Sequence, residues 1–245
     1  MNMNLNIKPS HDVCPTHKTK MALLGNRSFC KQCSKEALDL ANKQHAQTVN
    51  AMVREKHFAG AMLPSRHAQA GFANYQVTNE GQKFAKAQCV AYVKNFVDAG
   101  QRNNLIMVGR TGTGKTHLGC AIAKNILNDW KFARYVTSAD MANAIATAWT
   151  RSDDSETNAI YRFTEYDLLV LDEYGLHDRN EKILPLVHKV LYARYDAGKP
   201  TVLISNLTLK DLKEDLGDRL WSRLQEDNLV VVECNWADRR VGGVV

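Results

Sequence analysis

From about residue 72 onward, short apolar runs alternate with longer segments whose apolar residues recur at helical spacing. The runs are almost continuously hydrophobic, which is typical of strands buried on both faces of a sheet. Strands separated by helices indicate an α/β fold, a parallel sheet with helices on both faces. The predicted strands are 105–108, 133–137, 168–171, 201–205 and 229–232; the predicted helices cover about 80–99, 117–123, 138–149, 181–196 and 208–224, with a polar loop at 150–158.

The N-terminal third has a different pattern. A helix is expected from about Ser34 to Gly60, although its apolar positions are sparse and its apolar face is narrow. Such a helix packs on a partner or spans between domains. Pro64 and the surrounding small residues predict a linker. We therefore expect three parts: a module with its helix at 1–60, a linker at 61–70 and an α/β domain at 71–245.

Residues 109–116 read Gly-Arg-Thr-Gly-Thr-Gly-Lys-Thr, which fits the P-loop pattern without a mismatch. An apolar strand precedes the motif and a helical segment follows it, which is the context the motif requires. Its glycines allow backbone N–H groups to surround a phosphate chain at the start of the helix. Lys115 is expected to reach the β and γ phosphates of a nucleoside triphosphate, and the Thr116 hydroxyl to hold Mg²⁺. The predicted nucleotide-binding residues are Gly109, Arg110, Thr111, Gly112, Thr113, Gly114, Lys115, Thr116 and His117.

A second chemical motif is the pair Asp172-Glu173, which ends the apolar strand at 168–171. The carboxyl ends of parallel strands meet at one edge of the sheet, so this pair should lie beside the P-loop. We expect Asp172 to bind Mg²⁺ directly or through water. Glu173 is expected to polarise a water for attack on the γ phosphate.

Near the N-terminus, Cys14 and His17 are separated by two residues, as are Cys30 and Cys33. Two such pairs, twelve residues apart, can place three sulfurs and one imidazole around a tetrahedral Zn²⁺. Because all four positions come from protein, the zinc is expected to be structural. A short module gains its folding energy from such a metal. The intervening Gly25-Asn26 pair predicts a hairpin turn.

Charge and composition indicate the kind of partner and the compartment of the protein. The net charge is +6 and the sequence pI about 9.0, a modest indication of a polyanionic partner such as nucleic acid. Six cysteines and the absence of a signal-peptide pattern favour a cytoplasmic protein without disulfides. No apolar stretch approaches the ~20 residues of a membrane span. Cys89, Cys120 and Cys234 are expected to be small buried hydrophobes.

Together these motifs resemble AAA+ ATPases of the DnaC-type helicase-loader family, of which the IstB transposition ATPases are relatives. The resemblance covers about 71–245 and rests on four segments: Gly112–Leu118, Leu168–Glu173 with Gly175 soon after, Ser205-Asn206, and Gly217–Leu224. About twenty residues follow the last of these, too few for the helical lid of many AAA+ proteins, and DnaC-type loaders similarly lack a full lid.

The resemblance also implies roles for particular residues. Asn206 corresponds to the polar sensor that positions the attacking water. Arg223, with Arg219 as a second candidate, corresponds to the arginine that reaches the γ phosphate of a neighbouring subunit. Arg239 and Arg240 compete for a second sensor position, for which Arg240 is our choice.

A DNA contact is a further expectation from the resemblance, since helicase loaders contact single-stranded DNA near the helix predicted at 138–149. Bases stack on aromatic rings and phosphates pair with cations, which makes Trp149, Arg151 and Arg134 candidates. Packing of Trp149 into the core is an equally open interpretation.

The resemblance implies an ATP-dependent loader that places a replicative hexameric helicase on single-stranded DNA. By this resemblance the N-terminal module would bind the helicase, and a zinc-bearing module is more similar to phage or prophage loaders. Self-association is expected, with slow ATP turnover stimulated by assembly or DNA. One alternative is an IstB-type transposition helper that acts on duplex DNA. Another is a zinc-dependent nucleic-acid-binding protein with a non-hydrolytic nucleotide pocket.

Overall fold

The structure is a computed structural model that describes residues 7–175, 184–226 and 228–238. The chain divides into two compact units, Met1–Val53 and Arg54–Val245. Among the described residues, no helix combines the length and the apolar character needed to cross a bilayer.

The first unit is built on a three-stranded antiparallel sheet. Strand β1 (Ile7–Val13) pairs with β2 (Lys20–Leu24), which pairs with β3 (Arg27–Phe29) through the predicted turn at Gly25-Asn26. Helix α1 (Lys31–Gly60) begins in this unit and ends in the second. It has no buried residue among its thirty. In the described part of this unit, the buried residues are Ser10, Cys14, Ala22 and Cys30.

The second unit has the predicted α/β architecture. Its five strands are parallel and lie in the order β5-β6-β7-β4-β8. The P-loop strand β4 is buried along its whole length, with one strand on either side. The elements are α2 (Glu80–Asp98), β4 (Leu105–Gly109), α3 (Lys115–Asn128), β5 (Ala133–Thr137), α4 (Ser138–Ala148), α5 (Glu156–Thr164), β6 (Leu168–Tyr174), α6 (Leu184–Asp196), β7 (Thr201–Ser205), α7 (Leu209–Gln225) and β8 (Val230–Cys234).

Alternate residues of the strands enter two separate core layers. Leu105 and Met107 point toward α2 and α3, while Ile106 and Val108 point toward α4, α6 and α7. Because both faces are covered, the strands contain nearly continuous apolar residues, which is why their positions could be predicted closely.

The segment 61–70, for which the sequence predicts a linker, is instead part of the α/β domain in the structure. Ala61 and Ala70 are buried in the core layer of α2 and α3, and Leu63 packs against it. The Tyr135 N–H donates to the Ala61 carbonyl at 2.8 Å, which attaches the segment to the edge strand β5. The compact unit accordingly begins at Arg54, within α1.

Two further differences concern local elements. Helix α5 begins inside the expected polar loop, because the Ser155 hydroxyl caps it by accepting the Asn158 N–H and because Ala159 and Phe163 are buried. Strand β6 continues to Tyr174, beyond its predicted end, with a register irregularity between Leu171 and Tyr174.

Candidate functional site

The P-loop joins β4 to α3 and depends on three glycines with positive φ. At Gly109, φ is +124° and an added Cβ would lie 2.3 Å from the Cys234 carbonyl oxygen. At Gly114, φ is +90° and a Cβ would lie 2.9 Å from the Tyr75 ring. Gly112 also has a positive φ, of +74°. The loop therefore requires glycine for both its backbone conformation and its close contacts.

The two polar residues that end the motif point into the loop and toward β6. Lys115 is 5% exposed, and its Nζ donates to the carbonyls of Gly109 at 2.6 Å and Arg110 at 2.8 Å. The Thr116 hydroxyl donates to Asp172 Oδ2 at 2.8 Å. A hydroxyl and a carboxylate in contact are oxygen donors of the kind Mg²⁺ prefers, so these two side chains could hold that ion.

The acidic pair lies at the carboxyl end of β6, beside the P-loop. Asp172 is 2% exposed, whereas Glu173 is exposed and has a φ of +58°. This left-handed conformation coincides with the register irregularity of β6 and is costly for a glutamate. The bulge places adjacent carboxylates in different environments, so that the first is buried and the second faces an open cavity.

That cavity has a volume of about 550 Å³. The P-loop residues 111–117 line it, together with Asp172, Glu173 and Asn206, so it brings together most of the predicted nucleotide and catalytic residues. Five lining residues were not predicted: Arg66, His67, Asn74, Tyr75 and Gln76. They lie in or just after the segment expected to be a linker, where no motif marks them.

The P-loop is also supported from outside the cavity. The carbonyl of the buried Thr113 accepts hydrogen bonds from Trp236 Nε1 at 2.9 Å and from the Tyr75 hydroxyl at 3.3 Å. His117 Nε2 is 3.0 Å from the Gly71 carbonyl oxygen. Residues before α2 and after β8 therefore fix the loop in place.

The two candidate arginines of α7 do not belong to the described lining of the cavity. The Arg223 guanidinium lies 4.8 Å from the ring centre of Tyr192 and 5.0 Å from that of Tyr195, and Arg219 lies 5.8 Å from Tyr192. Both thus lie on the tyrosines of α6. Arg239 and Arg240 are outside the described residues.

The three DNA candidates lie on different elements. Trp149, at the end of α4, is 57% exposed rather than part of the core, and its Nε1 donates to Glu156 at 3.0 Å. Arg151 makes two hydrogen bonds to Asp153. Arg134, on β5, donates to the Gly60 carbonyl at 2.8 Å. Each of the two cations has a hydrogen-bond partner within the chain, and the DNA contact of the three residues stays a prediction.

The first unit contains the predicted metal cluster. One potential ligand atom from each of Cys14, His17, Cys30 and Cys33 lies within 4.8 Å of the others. Cys14 Sγ is 3.6 Å from Cys33 Sγ, and His17 Nδ1 is 3.2 Å from Cys33 Sγ. Zn–S bonds of about 2.3 Å in a tetrahedron imply sulfur separations of about 3.8 Å. The four side chains therefore fit a zinc ion.

Contacts within and around the cluster shift the pKa values of its ligands in different directions. The backbone N–H of His17 donates to Cys14 Sγ and lowers the pKa of that thiol to about 6. The pKa of His17 is raised to about 9, first by its contact with Cys14 and then by Glu36. His17 Nε2 lies 2.9 Å from Glu36 Oε1, which leaves Nδ1 directed at the sulfurs. Glu36 was not predicted and is a typical outer partner of a metal-bound histidine.

The other cysteines behave as predicted. Cys89, Cys120 and Cys234 are each 0% exposed and lie in the same apolar core layer. Burial raises the pKa of Cys120 to about 12 and that of Cys234 to about 11. They remain protonated thiols and contribute packing.

The glycine-rich loop between a central parallel strand and a helix, with an acidic pair on a nearby strand, defines a P-loop ATPase fold of the AAA+ class. The protein belongs to the family of IstB-like ATP-binding proteins, whose model matches residues 30–232.

Known proteins agree with this classification. The chain is 28% identical over 232 residues to the replicative helicase loader DnaC of Escherichia coli strain K12, covering 95% of this chain and 91% of that protein. A crystal structure of the DnaC helicase loader superposes with a TM-score of 0.61 at 25% identity, covering 69% of this chain and 99% of that one. AMPPCP-bound DnaA from Aquifex aeolicus shares the fold, with a TM-score of 0.56 at 24% identity over 70% of this chain and 51% of that one.

Proposed function

We propose that this protein is an ATP-dependent loader that binds a replicative hexameric helicase and places it on single-stranded DNA. The observation that carries the proposal is the extent of the similarity to DnaC, which covers 95% of this chain and so includes both compact units. Similarity confined to the ATPase core would support many other AAA+ functions.

In this proposal the cavity binds ATP with Mg²⁺. The P-loop N–H groups and Lys115 hold the phosphates, and Thr116 with Asp172 holds the ion, which neutralises charge on the phosphate oxygens when bound. Glu173 acts as the general base toward water, and Asn206 positions that water. Arg66, His67, Asn74, Tyr75 and Gln76 line the same cavity as this base.

Hydrolysis requires a second subunit in this scheme. Among the described residues, the Arg and Lys side chains that line the cavity are Arg66 and Lys115. Arg223, or Arg219 beside it, would supply a guanidinium to the γ phosphate of a neighbouring copy. A monomer should accordingly turn over ATP slowly, and assembly or DNA should stimulate it.

The zinc module and the exposed length of α1 form the helicase-binding part. The four protein ligands occupy every position of a tetrahedral zinc, so the ion has a structural role. Trp149, Arg151 and Arg134 remain the DNA candidates of the ATPase domain.

The first test is co-purification of the full chain with the host replicative helicase in ATP and Mg²⁺. We expect capture by the wild type and loss of capture when Cys30 and Cys33 are both changed to Ser. Cys89→Ala, which removes a buried thiol far from the cluster in sequence, should retain capture. A wild-type protein that ignores the helicase but assembles on duplex DNA would support the IstB-type alternative instead.

The second test is Glu173→Gln. Loss of the general base should lower ATP hydrolysis by about 10²–10⁴-fold while ATP binding persists. Equal turnover by the variant and the wild type would support a nucleic-acid-binding protein with a non-hydrolytic pocket.

A further inference from the structure

Three donors hold the carboxylate of Asp172, and one of them lies outside every motif in the sequence. Asp172 Oδ2 accepts the Thr116 hydroxyl at 2.8 Å and the Tyr135 hydroxyl at 2.8 Å. Asp172 Oδ1 accepts the Glu173 N–H at 2.7 Å. The carboxylate is 2% exposed, so these donors replace the water that would otherwise solvate it.

The position of Tyr135 follows from the pairing of β5 with β6. Tyr135 is opposite Val170, and Thr137 is opposite Asp172, so Tyr135 lies two residues before the position on β5 that pairs with Asp172. Its ring packs in the core layer with Cys120 and Met107, and its hydroxyl reaches forward to the carboxylate. An aliphatic residue, which is usual at a buried strand position, would fill this layer without a polar group.

The hydroxyl can act only as a donor here. Its oxygen lies 2.8 Å from Asp172 Oδ2, which accepts the hydrogen bond. The hydrogen bond from this packed side chain restrains the orientation of the Asp172 carboxylate.

The two hydroxyls on Oδ2 differ in what else they can do. Thr116 is the P-loop residue whose oxygen would hold Mg²⁺, and an oxygen that binds a cation directs its proton elsewhere. Tyr135 has a ring fixed by packing and only 8% exposed. Its hydrogen bond can therefore keep Asp172 in one orientation whether or not Thr116 is engaged.

We propose that Tyr135 is a positioning residue that orients the Asp172 carboxylate and thereby sets the Mg²⁺ requirement of nucleotide binding. This inference rests on the proposed function, in which Thr116 and Asp172 hold the ion. It assigns the role to a side chain of β5 that is not among the described residues lining the nucleotide cavity.

The test uses Tyr135→Phe in the full chain, which removes one hydroxyl and keeps the ring. Binding of a fluorescent ATP analogue is titrated with Mg²⁺ and compared with binding in EDTA. We expect unchanged affinity in EDTA, and a Mg²⁺ concentration for half-maximal effect that rises about tenfold, the size expected for the loss of one hydrogen bond to a charged group.

Tyr92→Phe is the matched control. Tyr92 is also buried, at 4% exposed, and its hydroxyl donates at 2.9 Å to the carbonyl of Asn103, which precedes β4. Tyr92→Phe should lower the melting temperature by about as much as Tyr135→Phe does, without any change in the Mg²⁺ titration. An equal shift in both variants would show a general effect of core loosening and overturn the inference.

The same experiment distinguishes failure of the role of Tyr135 from failure of the proposed ATP-binding function. If wild type and Tyr92→Phe respond to Mg²⁺ and Tyr135→Phe responds identically, the inference fails while the proposed ATP site stands. If wild type shows no Mg²⁺-dependent binding, the proposed function fails and the inference fails with it. In an Asp172→Asn background, adding Tyr135→Phe should produce no further shift, since the carboxylate that it positions is gone.

Discussion

The proposed zinc module and the ATPase domain differ in what stabilises their folds. In the described part of the first unit, four residues are buried, and two of them are the candidate zinc ligands Cys14 and Cys30. In the second unit, two continuous apolar layers enclose both faces of a five-stranded sheet. We therefore expect the first unit to depend on coordination bonds to the proposed zinc, whereas the second depends on apolar burial.

This difference decides what each site can tolerate. The nucleotide site is held by a domain that would remain folded without its ligand, because its strands and helices pack on one another. The candidate zinc cluster supplies two of the four buried residues in the described part of its module. Removing the nucleotide should therefore change function but not the fold of the ATPase domain. Removing the zinc should change the fold of its module.

The largest expected effect follows from this difference. Treatment with a strong chelator, or Cys30→Ser, should unfold the module, since structural zinc contributes about 10–16 kcal/mol in small domains. Hydrogen exchange should show lost protection in β1–β3 and unchanged protection in β4–β8. Cys120→Ala should leave the zinc content at one per chain. Retained protection of β1–β3 without metal would contradict a zinc-dependent fold.

The second prediction concerns backbone strain in the ATPase domain. Gly109→Ala should lower the free energy of unfolding by about 3–5 kcal/mol, because it adds a positive-φ cost to a clash with the Cys234 carbonyl. Gly198→Ala is the matched control, with a φ of +62° and no atom within 4 Å of the added Cβ. It should cost about 1–2 kcal/mol. Equal losses in urea unfolding would show that the close contact contributes nothing.

The third prediction concerns a polar exception within the apolar core. Arg194 is 0% exposed, and its guanidinium donates to the carbonyls of Phe163, Tyr166 and Pro200 and to the Thr201 hydroxyl. Lysine cannot reproduce this fork, so Arg194→Lys should leave buried carbonyls unpaired and cost about 3 kcal/mol.

The surface pair of Arg162 and Asp154 supplies the control for Arg194. Arg162 also makes two hydrogen bonds to its partner, but its side chain is 55% exposed. Arg162→Lys should therefore cost less than about 1 kcal/mol in the same thermal or urea experiment. Similar losses for the two variants would mean that burial of Arg194 is energetically unimportant.

What the sequence predicts well is set by regular patterns. The parallel sheet follows from continuous apolar runs, and the P-loop and the Cys/His spacing follow from motifs whose residues are close together in the chain. The cavity-lining residues Arg66 and His67 were not predicted because they lie in a short segment whose small residues resemble a linker. Arg194 and Tyr135 were not predicted because most of their partners are backbone carbonyls or lie 28 to 37 residues away, and no spacing rule describes such contacts.

Glu36 is the corresponding case in the zinc module and leads to the smallest predicted effect. It lies on α1 rather than in either ligand pair, and its carboxylate meets His17 Nε2 at 2.9 Å. Glu36→Gln should keep the fold but weaken zinc binding about tenfold, because a carboxylate partner orients the imidazole and raises its basicity. Competition with a chelating dye would measure this change. Asp39→Asn removes the same charge from the same helix and should leave the affinity unchanged. If both variants weaken binding equally, the effect would be long-range charge rather than orientation of His17, and the contact would lose its assigned role.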